Sequence, residues 1–283
     1  PQKQNSDFMS KKRVLYITQE IFPFLPGEGI ASSVRRLSQG VQEEDKEIRV
    51  FMPRFGVVNE RRHQLHEVIR LSGMNLVIDD ADHPLIIKVA SIPKAKMQVY
   101  FIDNEEYFKR KSTCVDMDGN FHEDNDERAM FFCKGVLETV KKLGWKPDIV
   151  HCHGWMAGFM PLYLKKMYNN DPHFEDVKIV YSAYNQGEGG VFDERLLDKL
   201  KFDSFDDESV KELAKPTIEN LNILGVKWAD AVGIGSETIN ESISSYIKES
   251  GKPVLDYQTE ETLITAHQDF YNTIIENDEI LAD

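Results

Sequence analysis

Cysteine is scarce and scattered: Cys114, Cys133 and Cys152 are the only three in 283 residues. An odd, widely spaced set makes poor material for a disulfide framework and fits a reducing compartment, so a cytoplasmic location is expected. Long apolar runs are also missing. No stretch approaches the roughly 18–20 residues of a membrane span and no apolar signal region opens the chain, so no membrane partner is expected. Positive charge is in deficit, 34 basic against 48 acidic residues for a net charge of −14. A phosphate backbone needs a cationic surface, which disfavours nucleic acid as principal ligand and suits a neutral substrate such as a sugar. Internal repeats and low-complexity tracts are absent beyond charged turns such as 202–208.

What is present is a chain long enough to bury a large core, with strands alternating with helices. Val14-Leu15-Tyr16-Ile17 reads as a buried first strand. A Pro/Gly-rich loop over 22–29 follows, then a helix with Ile30, Val34, Leu37 and Val41 at helical spacing. Residues 48–52 give the next strand, which turns out through Pro53-Arg54-Phe55-Gly56. Short β-like runs over 65–71, 74–78, 85–90 and 97–102 predict a small β-meander insertion that decorates a parallel sheet rather than forming it. A helix over 126–143 follows, with Phe131, Val136 and Val140 near one face and Glu138 placed to pair with Lys142. Strands at 148–153, 178–182 and 231–234 then alternate with helices at about 156–166, 216–228 and 237–249, and a last amphipathic helix covers 260–275. The fold class expected is α/β, a doubly wound, mostly parallel sheet. Residues 1–10 read as a disordered extension, with a natural start at Met9. Residues 11–256 read as one domain, and 257–283 as a helical segment packing back on it.

The stretch 146–164, K-P-D-I-V-H-C-H-G-W-M-A-G-F-M-P-L-Y-L, is the most informative. It is a buried strand ending at a glycine turn, and in open α/β sheets ligands sit beyond such carboxyl ends. His151-Cys152-His153 invites a metal reading, but only the two histidines share a strand face and no C-x-x-C or H-E-x-x-H partner exists, so Cys152 reads as a small buried hydrophobe. Trp155 reads equally as core and as a stacking platform for a sugar ring. Gly27 and Gly29 before the first helix resemble a phosphate-cradling turn, although Glu28 between them repels a pyrophosphate; the simpler reading is a turn from strand into helix. Asn185-Gln186-Gly187-Glu188-Gly189-Gly190 lacks the lysine and Ser/Thr of a P-loop and reads as a loop after a strand. Asp126 and Glu127 sit where negative charge caps a helix start, a reading favoured over catalysis.

Several segments together resemble the N-terminal half of bacterial glycogen and starch synthases, retaining glucosyltransferases of the GT-B architecture. These are Glu20-Ile21-Phe22-Pro23-Phe24, residues 26–34, Pro53-Arg54-Phe55-Gly56, Tyr100-Phe101-Ile102-Asp103 with Tyr107-Phe108, Asp124-Asn125 with Arg128-Ala129, residues 148–153, Pro161-Leu162-Tyr163-Leu164-Lys165, and Ala229-Asp230 with Val232 and Gly235-Ser236. The resemblance runs over about 12–247 and implies a Rossmann-like GT-B N-terminal domain acting in glucan metabolism. It also marks departures. Where the family places a lysine and threonine before G-G-L and an aspartate after it, this chain has Pro26, Gly27 and Ser32. The aspartate and second histidine of H-D-W-H are Gly154 and Met156, and the histidine of T-x-H-N is Tyr184. Each change removes a charged or imidazole group from a cleft that must stabilise a charge-separated transition state, and losing one such group costs about two to three decades of rate.

The resemblance with these departures implies a glucan-binding or enzyme-supporting homologue without autonomous glucosyl transfer. The sequence also ends about where the family's donor-binding domain would start. Arg54, His153, Trp155, Tyr184 and Asn185 are the residues expected to line the remaining cleft, and Gly27 and Gly29 are the remnant of a phosphate loop. No catalytic residue, metal or cofactor is expected. The expected partners are a glucan or oligosaccharide, an enzyme of glycogen metabolism, or a second copy of the chain. One alternative is half of a working ADP-glucose:glucan glucosyltransferase completed by a partner chain or a homodimer. Another is an interaction scaffold that has lost all ligands.

Overall fold

The structure, a computed structural model, describes residues 10–186 and 189–281, except the side chains of Glu279 and Leu281. The extension expected over 1–10 lies, apart from Ser10, outside the described residues, as do Gly187 and Glu188 of the glycine-rich loop. The chain opens with β1 (Arg13–Thr18), α1 (Ile30–Glu44) and β2 (Glu47–Pro53). A helical turn α2 (Glu60–His63), β3 (His66–Glu67), β4 (Asn75–Ile78), β5 (Ala81–Pro84), β6 (Ile86–Ile92) and β7 (Met97–Asp103) follow. After a second turn, α3 (Glu105–Phe108), come α4 (Asn125–Leu143), β8 (Ile149–His153), α5 (Met160–Lys166) and β9 (Lys178–Ala183). The remainder is α6 (Leu196–Phe202), α7 (Asp207–Val210), α8 (Ile218–Trp228), β10 (Ala231–Ile234), α9 (Glu241–Ser250), β11 (Val254–Leu255) and α10 (Leu263–Leu281).

Nine strands form one sheet in the order β11-β10-β9-β8-β1-β2-β7-β6-β3, parallel from β11 to β7 and antiparallel at β6 and β3. The expected doubly wound α/β sheet is therefore present. The chain moves one way from β1 to β2 and the other way from β8 to β9. Right-handed crossovers then place α1 and α5 on opposite faces. The reversal makes the β1/β8 boundary a topological switch point, where ligands of such sheets bind.

The expected decorative meander is corrected in part. β7 pairs in parallel with β2 and β6 extends it, so both belong to the main sheet, and only the β4–β5 hairpin stands apart. β7 is buried at six of its seven positions, the mark of a strand covered on both faces. The polar segment before α8 also holds α6 and α7, which the apolar pattern did not reveal. Glu138 does not pair with Lys142; it accepts from the Tyr168 hydroxyl at 2.6 Å and lies 3.9 Å from Lys141. No helix among the described residues is long and apolar enough to cross a membrane.

Candidate functional site

Four loops converge at the carboxyl ends of β1, β8, β9 and β10. The first two are joined at the switch point, where the Gln19 amide donates to the His153 carbonyl at 3.0 Å. Gln186, after β9, locks them together: its Nε2 donates to Gln19 Oε1 at 2.9 Å and its Oε1 accepts from the Trp155 backbone N–H at 2.8 Å. Gly154 makes this possible. It has φ +89°, and a Cβ there would stand 2.9 Å from Gln19 Oε1, so both backbone and space demand glycine. Gln19 belongs to no pattern singled out in the sequence, and Gln186 was read only as part of a loop after a strand; position immediately beyond a strand end is the signal that could have found both.

An opening of about 480 Å³ at the start of α1 is lined by Phe22, Gly27, Ser32, Arg35, Arg36 and Gln39. Two more flank these loops. One, of about 460 Å³, lies beyond β9 and β10 and is bordered by Tyr184, Asn185, Thr217, Glu219, Asn222 and Asn240. The other, of about 490 Å³, lies between the start of α1 and the loop after β10. Glu28, Glu237 and Glu260 line it with Arg36, which is paired with Glu260 at 2.5 Å. A concavity of about 520 Å³ around Arg49 and Tyr100 lies at the opposite, amino end of the strands, away from the switch point.

The structure separates the five expected sugar-lining residues. Asn185 and Tyr184 border the first opening. Tyr184 is 6% exposed and its hydroxyl meets His153 Nδ1 at 2.7 Å; Gly235 makes room for its ring, since a Cβ there would fall 2.4 Å from it. His153 is buried beneath the same loops. Arg54 and Trp155 do not face an opening. Arg54 is 8% exposed because its guanidinium serves buried Asp103, with Nη2 to Oδ1 at 2.9 Å, and Asp103 also holds Lys88. Trp155 is 2% exposed and packs against Phe121 and Phe192, so its ring is a core contact in this arrangement and offers no open stacking face. Gly29 is the N-cap of α1 at φ 85°, with no side-chain cap and no acidic residue in the first turn, and Gly27 precedes it in the extended loop.

The histidines of β8 share a face, with ring centroids 3.9 Å apart. Burial holds both imidazoles well below the ordinary histidine value. Cys152 points to the other face, where burial, with Cys133 nearby, pushes its thiol well up and disfavours a thiolate. Among the described residues no group of His, Cys, Asp and Glu is arranged to hold a metal ion.

Asp126 and Glu127 both lie in the first turn of α4, the acidic helix start expected of them, with Asp124 at the N-cap position. The two carboxylates also converge on buried Lys199 of α6 at 2.9 Å each, joined by Asp193 at 2.9 Å. Burial pushes Asp126 up to about 6 while Lys199 pulls it down. For Lys199 burial opposes the charge, but Asp193, Asp126 and Glu127 outweigh it and hold the ammonium above its usual value.

A profile of starch synthase catalytic domains matches residues 13–256. The chain belongs to the starch synthase catalytic domain family. Among curated relatives, the glycogen synthase of Chlorobium limicola is 37% identical over 234 residues, covering 82% of this chain and 47% of its own length. That of Chlorobium luteolum is 38% identical over 221 residues, covering 77% and 44%. The catalytic domain of starch synthase IV from Arabidopsis thaliana, bound to ADP and acarbose, superposes with a TM-score of 0.72 at 17% identity, over 88% of this chain and 52% of that one. The resemblance read from the sequence is thereby confirmed, and the chain spans about half the length of the curated glycogen synthase relatives it matches. Helix α10 lies beyond the matched residues, and only residues 256–262 separate it from β11.

Proposed function

We propose that this chain is a glucan-binding member of the glycogen/starch synthase family that does not transfer glucose by itself. The observation that carries the reading is the charge of the opening between the start of α1 and the loop after β10: among its described residues, three carboxylates and a single guanidinium, itself engaged by Glu260. A sugar nucleotide brings a diphosphate, and in this setting it meets net repulsion at the helix end that would otherwise receive it. Tyr184 supports the reading from the other side. It fills the place of the family's T-x-H-N histidine, and its hydroxyl is directed at His153. The opening beyond β9 and β10, bordered among the described residues by amides, hydroxyls and one carboxylate, offers the hydrogen-bonding partners that neutral hydroxylated ligands use.

The test uses the protein alone. It is expected to co-sediment with glycogen and to leave labelled glucose of ADP-glucose unincorporated. Incorporation without any other protein overturns the reading. One second reading, in keeping with the family match over residues 13–256, is a glucosyltransferase whose donor-binding half is supplied in trans. Its signature is transfer that appears only when a separate donor-binding domain is added.

A further inference from the structure

Helix α10 is held to the sheet by an interface rich in polar groups. Beneath it lie Tyr16 of β1, His151 and His153 of β8, and Ser182 and Tyr184 at the end of β9, all at most 6% exposed; α10 contributes His267 and Tyr271. One hydrogen-bonded chain runs from the Tyr16 hydroxyl to that of Tyr271 at 3.0 Å. It continues from Tyr271 to His151 Nδ1 at 2.5 Å and from His151 Nε2 to Ser182 Oγ at 2.7 Å. A second joins the Tyr184 hydroxyl to His153 Nδ1, and His267 Nδ1 donates to the Leu263 carbonyl at 2.7 Å. Between them is a void of about 20 Å³, bordered by His153, His267, Ser33 and Ser182 and large enough for one water. His153 Nε2 is buried with no hydrogen-bond partner among the described residues.

The imidazoles are crowded: the His151 and His267 ring centroids lie 5.7 Å apart, and those of His151 and His153 closer still. The groups facing the void are Ser33 and Leu37 from α1, His153 from β8, Ser182 and Tyr184 from β9, and Ile234 and Gly235 from the end of β10. Tyr257 and Gln258 face it from the connecting segment, and Leu263 and His267 from α10. None of these described residues is a carboxylate. Glu20 acts on Tyr184 from outside this shell, and the Arg36–Glu260 pair belongs to the neighbouring opening. An imidazolium formed here finds no counter-ion among the described residues of this shell and faces two more imidazoles. Burial lowers all three rings, His267 to about 4.

We propose that His151, His153 and His267 form an acid-released clasp: as neutral rings they hold α10 on the sheet, and protonation frees its first turns and opens the cavities they wall in. Leu263 borders both the small void and the opening beside α1, so the clasp governs access to the candidate site. This inference goes beyond the functional reading and stands whether or not that opening receives a glucan. The sign follows from depressed folded-state values. Stability from the neutral rings is complete above the unfolded histidine value of about 6.5 and is lost as pH falls from there toward the folded values. For His267 alone, the shift from about 6.5 to about 4 raises the open population roughly thirty-fold between about pH 7.5 and about pH 5.

Hydrogen–deuterium exchange corrected for intrinsic rates tests this, comparing α10 with α4 in the same molecule at those two pH values. Expected is a roughly thirty-fold or greater loss of protection in α10 at the lower pH, with α4 much less affected. His267→Gln keeps a donor and cannot take up a proton, so it should lose its own roughly thirty-fold share of that dependence and keep only what His151 and His153 contribute. Tyr271→Phe removes a hydroxyl but no group titrating in this range, and should weaken α10 equally at both pH values. Unchanged α10 protection in the wild type, or a full wild-type dependence in His267→Gln, overturns the proposal. If His267→Gln does not fold, the wild type and Tyr271→Phe decide: a shared slope supports the clasp, and a slope abolished by Tyr271→Phe overturns it.

Discussion

Lys199 is the buried cation at the centre of a cluster of three carboxylates. It is 1% exposed, and it neutralises Asp126, which is fully buried, together with Glu127 and Asp193. Tyr107 adds its hydroxyl to Glu127 at 3.0 Å. Replacing Lys199 by Met keeps most of the volume and leaves three carboxylates facing each other without a cation. Breaking a buried pair in this way costs about 3–5 kcal/mol, and urea unfolding near neutral pH should read a loss of that size. The loss should shrink at about pH 5, because Asp126, whose carboxyl is already pushed up by burial, then takes a proton instead of standing uncompensated. Lys199 was not legible as a buried residue, since lysine in a charged, aperiodic stretch reads as a solvated face. By contrast, the pairing of His151 with His153 on one face and Cys152 on the other was legible from strand alternation alone.

Among the elements, α1 and α10 meet at a close approach. A Cβ on Gly40 would come within 2.2 Å of Ile264 Cδ1, so the absence of a side chain at Gly40 sets how near the helices lie. Gly40→Val should therefore lower stability by about 1–3 kcal/mol through overpacking, and Ile264→Ala in the same chain should recover part of that loss. Equal stability of the double and the single variant would show that the two positions do not share the contact. Elements whose apolar pattern is carried by their own residues were readable in advance. β1, α1, β8 and β10 fall where runs such as Val14–Ile17 and helical spacings such as Ile30, Val34, Leu37 and Val41 place them. α6 and α7 were not, because they are short and owe their order to partners elsewhere: buried Lys199 for α6, and the Asp206 cap on the Ser209 amide for α7. β7 was seen as a strand but misplaced, since periodicity reports burial and not which strand lies alongside. Trp155 and Arg54 show the same limit at the site. Residue type and strand-end position suggested a sugar contact, while the neighbours that decide it, Phe121, Phe192 and Asp103, lie far away in sequence.

For the molecule as a whole, the net charge of −14 and the acidic opening beside α1 act in the same direction. A surface of this sign lowers the local concentration of anions and leaves neutral ligands unaffected at long range. Salt screens such fields over about 10 Å at 0.1 M. If glucan is held by amides, hydroxyls and one carboxylate around Tyr184 and Asn185, its binding contains no charge–charge attraction for salt to weaken. Glycogen co-sedimentation should then be unchanged, within about two-fold, as sodium chloride rises from roughly 0.05 M to roughly 0.5 M. ADP, repelled by the same field, should bind more weakly at the lower concentration than at the higher one. A tight ADP complex that weakens steeply with added salt would mean that cations gather around the diphosphate in a way this arrangement of Glu28, Glu237, Glu260 and Arg36 does not provide, and the functional reading would have to give way to a competent donor site.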